Sequence, residues 1–174
     1  MKRVLAFAPL ILLAIIVVVS VVLLTRGGAR ETVSAGDLGR PAPLYSLARL
    51  GGGAPVSNAE TQGRAHLINI FASWCTPCRA EHPFLMQLRR QGVEIVGVAS
   101  KDEPEAAARF LAELGDPFSV VALDADGRFA LDLGAAGVPE TFVIGPDGAI
   151  LAVHRGPLTP DIIAHEILPA LEGR

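Results

Sequence analysis

The segment HLINIFASWCTPCRAEHP, residues 66–83, changes structural period within a few positions. His66 to Phe71 is an apolar run of strand length. From Cys75 to Gln91 the apolar residues Phe84, Leu85 and Leu88 recur at helical spacing, and Gly92 ends the pattern. A C-x-x-C therefore follows a buried strand and opens a helix. At that place unpaired backbone N–H groups and the helix dipole stabilise a thiolate. Cys75 is the expected nucleophile and Cys78 the resolving thiol one turn on, with Trp74 expected to pack beside Cys75 and shield it. Such a pair supplies both sulfurs needed for exchange through a mixed disulfide.

The chain has two cysteines, and both lie in this motif. A secreted domain held by disulfides would use more of them, at wider spacing. A bridge across two residues closes too small a loop to stabilise much through chain entropy. Covalent haem attachment requires a histidine directly after the second cysteine, where this chain has Arg79. The alternative is a metal site, copper delivery in particular. Cys78 and His82 stand one helical turn apart, so Cys75, Cys78 and His82 could form a soft ligand set. No second ligand cluster accompanies them, and no metal is assigned. The only redox group expected is the Cys75–Cys78 disulfide itself.

Outward from the motif, strand and helix patterns alternate. Upstream, Pro43–Leu50 and Ala54–Val56 flank Gly51-Gly52-Gly53 and predict a short hairpin. Downstream, Val93–Ala99 reads as a second buried strand, and Pro104 opens a helix stopped by Gly115. Ser119–Leu123 reads as a third strand and Phe129–Leu133 as one helical turn. Thr141–Ile144 and Ala149–Val153 flank Gly145-Pro146-Asp147-Gly148, a hairpin signal, and Thr159-Pro160 introduces a last helix from Asp161 to about Leu171. The pattern predicts an α/β fold with a mixed sheet covered by helices. Gly137-Val138-Pro139-Glu140-Thr141 sets a proline at the head of a strand after a loop, where a cis bond can persist. Opposite the C-x-x-C, Pro139 would offer the backbone of Val138 to an extended substrate. Pro139 follows Cys78 by 61 residues, and the two elements together are far more specific than either alone.

At the N-terminus, Val4 to Thr25 carries no charge. At 1.5 Å per residue it spans roughly 33 Å, enough for a hydrocarbon core of about 30 Å, and it exceeds a signal-peptide core. Residues 1–25 are read as a transmembrane anchor, 26–42 as a Gly-rich polar tether and 43–174 as the folded domain. Lys2 and Arg3 before the span favour a cytoplasmic N-terminus and a domain on the other side. Beyond the span lie 18 acidic residues against 13 basic ones, a net charge of −5 that argues against nucleic acid as a partner.

The FASWCTPCRAEHP segment resembles the active site of the thioredoxin superfamily, including the proline at position 83. Lys101 to Gly148, with the tether and the single N-terminal span, resembles the DsbE/CcmG proteins of cytochrome c maturation. The resemblance implies a thioredoxin-like sheet flanked by helices, with an N-terminal transmembrane helix and a short N-terminal hairpin. It implies a periplasmic reductant anchored in the bacterial inner membrane. Electrons would come from a membrane donor of the DsbD/CcdA kind and pass to apocytochrome c or a maturation thiol protein. Cys75 and Cys78 match the redox pair, Pro139 the cis-proline, and Glu81 and Glu140 the acidic residues around the pair. Two positions depart: Thr76-Pro77 stands where Pro-Thr is expected, and Asn69 where thioredoxin has a buried aspartate. Carboxylates near Cys75 disfavour its thiolate and favour a reducing protein. The rival within the same chemistry is a general periplasmic reductant of the TlpA/ResA type.

Overall fold

A computed structural model describes residues 15, 16, 18–20 and 38–173. Residues 15, 16 and 18–20 are helical; the rest of the apolar stretch 4–25, and the tether up to residue 37, lie outside the described residues. No helix among the described residues is long and apolar enough to cross a membrane.

The folded unit is built on seven strands: β1 (Ser46–Arg49), β2 (Val56–Ser57), β3 (His66–Phe71), β4 (Ile95–Ser100), β5 (Val120–Asp124), β6 (Glu140–Ile144) and β7 (Ile150–Arg155). They form one mixed sheet in the order β2-β1-β5-β4-β3-β6-β7. β3, β4 and β5 run parallel, whereas β1, β6 and β7 join antiparallel. Helices α1 (Thr76–Arg90) and α2 (Pro104–Leu114) make the two parallel crossovers. The turn α3 (Arg128–Leu133) links β5 to β6. The mixed, helix-flanked sheet and the early hairpin expected from the sequence are both present. Gly51, Gly52 and Gly53 all adopt positive φ (83°, 86° and 99°) in the β1–β2 turn, a conformation only glycine takes without strain.

Every residue of β3 is buried, because the sheet is covered on both faces. Alternation then sorts its side chains. Leu67 and Phe71 pack with Leu85 and Leu88 of α1 and Phe110 and Leu111 of α2. Ile68 and Ile70 face the second core, with Tyr45, Phe129, Leu133 and Phe142. The same period puts Asn69, the one amide in the strand, on the α1 face.

The last helix, α4, comprises Pro160–Ile162, a π segment at Ile163–Ile167 and Leu168–Leu171. Leu168 donates its N–H to the Ile163 carbonyl, one residue farther back than in an α-helix. Pro169 has no N–H for the usual bond to the carbonyl four residues earlier, and the wider turn lies just before it.

Gly97 is fixed by packing. A Cβ there would meet the Phe118 ring at 2.7 Å, and that ring is stacked on Phe71 with centroids 4.9 Å apart. Gly97→Ala is expected to destabilise the domain by about 1–3 kcal/mol through overpacking, read as a lower urea midpoint with unchanged slope.

Candidate active site

The sharp end of β3 is followed by Ala72, Ser73 and Trp74, after which Cys75 serves as the N-cap of α1. Its backbone is extended (φ −87°, ψ 107°), and its sulfur accepts the N–H of Cys78 at 3.1 Å. That bond is the local reason a thiolate is favoured here: an unpaired helix donor already points at the sulfur. Pro77 sits in the first turn, where its missing N–H costs the helix nothing. Cys75 and Cys78 are joined by a disulfide, with Cα atoms 5.3 Å apart, and both are buried. α1 continues through Pro83 to Arg90 without interruption.

β6 lies beside β3 with Ile70 opposite Glu140. This register brings the loop before β6 to the end of β3 from which the cysteine turn departs. The Val138–Pro139 peptide is cis. Trp74 and Val138, the neighbours of Cys75 and Pro139, line one cleft of about 280 Å³ with Lys101, Gly127, Arg128 and Leu131. The site thus lies at the carboxyl ends of parallel strands, where open α/β sheets place their ligands.

The sequence-selected carboxylates have different surroundings. Glu81 is fully buried on α1; Oε1 accepts from Asn69 Nδ2 at 2.9 Å and Oε2 from the Leu158 N–H at 2.8 Å. Asn69 Nδ2 also donates to Thr141 Oγ1 at 3.0 Å. Burial pushes the Glu81 carboxyl up to about 7, against the two hydrogen bonds, which favour the charged form. Glu81 follows Cys78 by three residues and so shares its face of the helix. Glu140 is buried too, but Oε1 accepts the N–H groups of Ala136 (2.7 Å) and Gly137 (2.9 Å). Arg155 stands 3.5 Å from its other oxygen. The Glu140 carboxylate therefore holds the loop that ends at the cis-proline.

Trp74 is 62% exposed, and its indole N–H donates to the Lys101 carbonyl at 3.1 Å. His82 is buried; its Nε2 lies 2.9 Å from the Gly115 carbonyl and its ring meets Phe110 edge-on. That nitrogen is committed as a donor, which leaves it unsuited to a shared metal with the cysteines. Among the described residues no group of three His, Cys, Asp or Glu is placed to hold a metal ion.

Asp102 is the site residue that sequence reasoning missed. Its Oδ2 accepts the Ser73 N–H at 2.6 Å and its Oδ1 the Ser73 hydroxyl at 2.7 Å. In the sequence, Asp102 reads only as part of a helix opening. Its connection to Ser73 arises because β3 and β4 are parallel neighbours whose ends coincide, with Phe71 opposite Ala99.

The Redoxin family model matches residues 37–168. The chain is 47% identical over 136 residues to the thiol:disulfide interchange protein HelX of Rhodobacter capsulatus, covering 78% of this chain and 77% of that one. It is 38% identical to the thiol:disulfide interchange protein DsbE of Escherichia coli, over 99% of this chain and 96% of the relative. Among solved structures, a putative DsbE from Chlorobium tepidum superposes with a TM-score of 0.69 at 30% identity, covering 78% of this chain and 98% of that one. A redox disulfide at a helix N-terminus beside a cis-proline loop accords with these likenesses, and the chain belongs to the Redoxin family, among its DsbE-type thiol:disulfide interchange proteins.

Proposed function

We propose that this thiol–disulfide oxidoreductase acts as a membrane-anchored periplasmic reductant, with a disulfide of apocytochrome c or of a cytochrome c maturation protein as its client. The observation that carries the reading is the buried Cys75–Cys78 pair at the head of α1, with Glu81 one turn farther along the same helix face. Residues 1–25 serve as the anchor and residues 26–42 as the tether, whose last residues, Gly39 to Ala42, bond to the folded domain at Ile150 and Gly148, and the net charge of −5 beyond the span suits a protein client rather than nucleic acid. The domain proper runs from residue 43 to 174, and a membrane thiol protein of the DsbD/CcdA kind returns it to the dithiol state. No cofactor is required beyond the cysteine pair.

In the reduced protein the Cys75 thiolate attacks one sulfur of the client disulfide. A mixed disulfide forms, and the client's other sulfur leaves as a thiolate that takes a proton from solvent. Cys78 then gives its proton to Glu81 and attacks Cys75 Sγ, which expels the client's second sulfur as a thiolate, and Glu81 passes the proton on to it. In sum two electrons pass from the cysteine pair to the client, with one proton from Cys78 by way of Glu81 and one from solvent, and the chain returns to the disulfide described above. Glu81, with its carboxyl near 7, is matched to such a transfer at neutral pH. Val138 and Pro139 present the backbone against which the client strand is laid, and Trp74 flanks the attacked sulfur.

Deleting the protein and staining for covalently bound haem tests the client. Loss of holocytochrome c with rescue by added thiol supports the reading. Normal holocytochrome c would point instead to a general periplasmic reductant, and a potential as oxidising as that of DsbA, about −120 mV, would reverse the proposed direction.

A further inference from the structure

The turn that carries the nucleophile is tied to a segment of chain nearly thirty residues away. Asp102 takes both the N–H and the hydroxyl of Ser73, at 2.6 and 2.7 Å, and the next residue, Trp74, gives its indole N–H to the Lys101 carbonyl at 3.1 Å. These three bonds join the turn after β3 to the loop between β4 and α2. Local helix capping does not account for them. The N-cap of α2 is Glu103, whose side chain makes no capping bond, while the Asp102 side chain reaches across to Ser73 and also accepts the Glu103 N–H at 3.0 Å.

The backbone on the receiving side is itself held in an uncommon form. Lys101 has φ 51°, the only positive φ at a non-glycine position among the described residues, and its N–H is fixed to the Asp124 carbonyl at 2.9 Å. A left-handed conformation is unfavourable for a residue other than glycine and persists where its surroundings over-determine it. Here it is the residue whose carbonyl receives Trp74. The outcome is a large aromatic ring that is mostly exposed yet anchored at its polar end. It faces a cleft of about 280 Å³ that also includes Lys101, Arg128, Val138 and Leu131, the last 70% exposed. Exposed apolar side chains gathered beside a reactive group mark a surface for a polypeptide, and rigid aromatics give such a surface most of its contact.

We propose that Asp102 is a positioning residue for client exchange: it holds the Ser73–Trp74 turn so that the indole is a fixed wall of the cleft receiving the polypeptide beside the client's disulfide. The proposal rests on the thiol-exchange reading and deepens it. Asp102 touches neither sulfur; it acts through Ser73 and Trp74. A cystamine molecule, which has no peptide backbone, makes no use of the cleft, whereas a peptide does.

The full chain in detergent, reduced, is tested against two disulfides: cystamine, and a peptide closed by a Cys-X-X-Cys bridge with residues on both sides. Asp102→Ala is expected to slow exchange with the peptide about tenfold or more while changing the cystamine rate less than about twofold. Trp74 is the only tryptophan, so its fluorescence reports the clamp directly. Acrylamide quenching of Trp74 should rise about twofold in Asp102→Ala, as expected for a ring released from its anchor. Asp102→Asn keeps the shape and one acceptor oxygen; it should fall between the two, and it decides the matter if Asp102→Ala does not fold. Equal losses on both substrates, an unchanged peptide rate, or unchanged quenching would each overturn the proposal. A wild-type protein inert towards both disulfides would overturn the exchange reading as well, which sets that failure apart.

Discussion

Cys78→Ser is expected to stop turnover and to leave the client covalently bound to Cys75. The Cys75 sulfur keeps the backbone donor of residue 78, since that bond uses the main chain and survives the substitution. Attack on the client is therefore retained. The second step is lost, because a serine hydroxyl cannot displace the sulfur, and only external thiols can release the complex. Turnover should fall by on the order of a thousandfold or more, while a single round of mixed-disulfide formation remains. Non-reducing electrophoresis followed by mass measurement reads the outcome: one adduct removed by dithiothreitol, absent in the Cys75→Ser, Cys78→Ser double variant. Equal turnover in Cys78→Ser would mean that resolution does not pass through this residue.

The second large effect concerns pH. The Glu81 carboxyl is raised by burial from 4.5 to about 7, so between those values the folded chain holds a proton that the unfolded chain has lost. Stability from this group is fully present below pH 4.5 and declines as pH rises through 7. A shift of this size corresponds to about 3 kcal/mol between the two limits. The direction opposes that of carboxylates held charged in the fold, which stabilise as pH rises. Urea unfolding of the oxidised protein at pH 5 and pH 8 should show the loss. In Glu81→Gln, which cannot ionise, the difference between the two pH values should shift by about 2.5 kcal/mol in favour of pH 8. An unchanged difference would show that Glu81 titrates at an ordinary value.

Much of this site is written in local sequence. The strand from His66, the helix opened by Cys75 and the proline at 139 are each set by periodicity or by a residue with restricted backbone geometry. The roles of the carboxylates are not, because they depend on where strands from distant parts of the chain come to lie. Glu81 and Glu140 look alike in sequence as acids near a cysteine pair. In the fold, Glu81 lies between Asn69 and Leu158 in a dry environment, while Glu140 faces the amides of its own loop. His82 shares a helix face with Cys78, a ligand-like spacing in sequence, yet in the fold the Gly115 carbonyl takes its Nε2. Asp102 had no signal at all, since Ser73 is distant in sequence. The π turn in α4 was equally hidden: Pro169 shows that one bond is missing, and packing decides how the helix absorbs the loss.

The two margins of the sheet bear on how copies of this protein tolerate one another. β7 is an edge strand, and at its start Gly39 donates to the Ile150 carbonyl and Ile150 donates to the Arg40 carbonyl, so incoming chain covers its first residue. The opposite margin is β2, only two residues long. Exposed strand edges invite neighbouring molecules to pair with them and aggregate, and here one begins under cover while the other is too short to template a partner. A molecule that meets a copy of itself at the β2 margin finds no strand long enough to zip onto, which leaves its disulfide free to find other proteins.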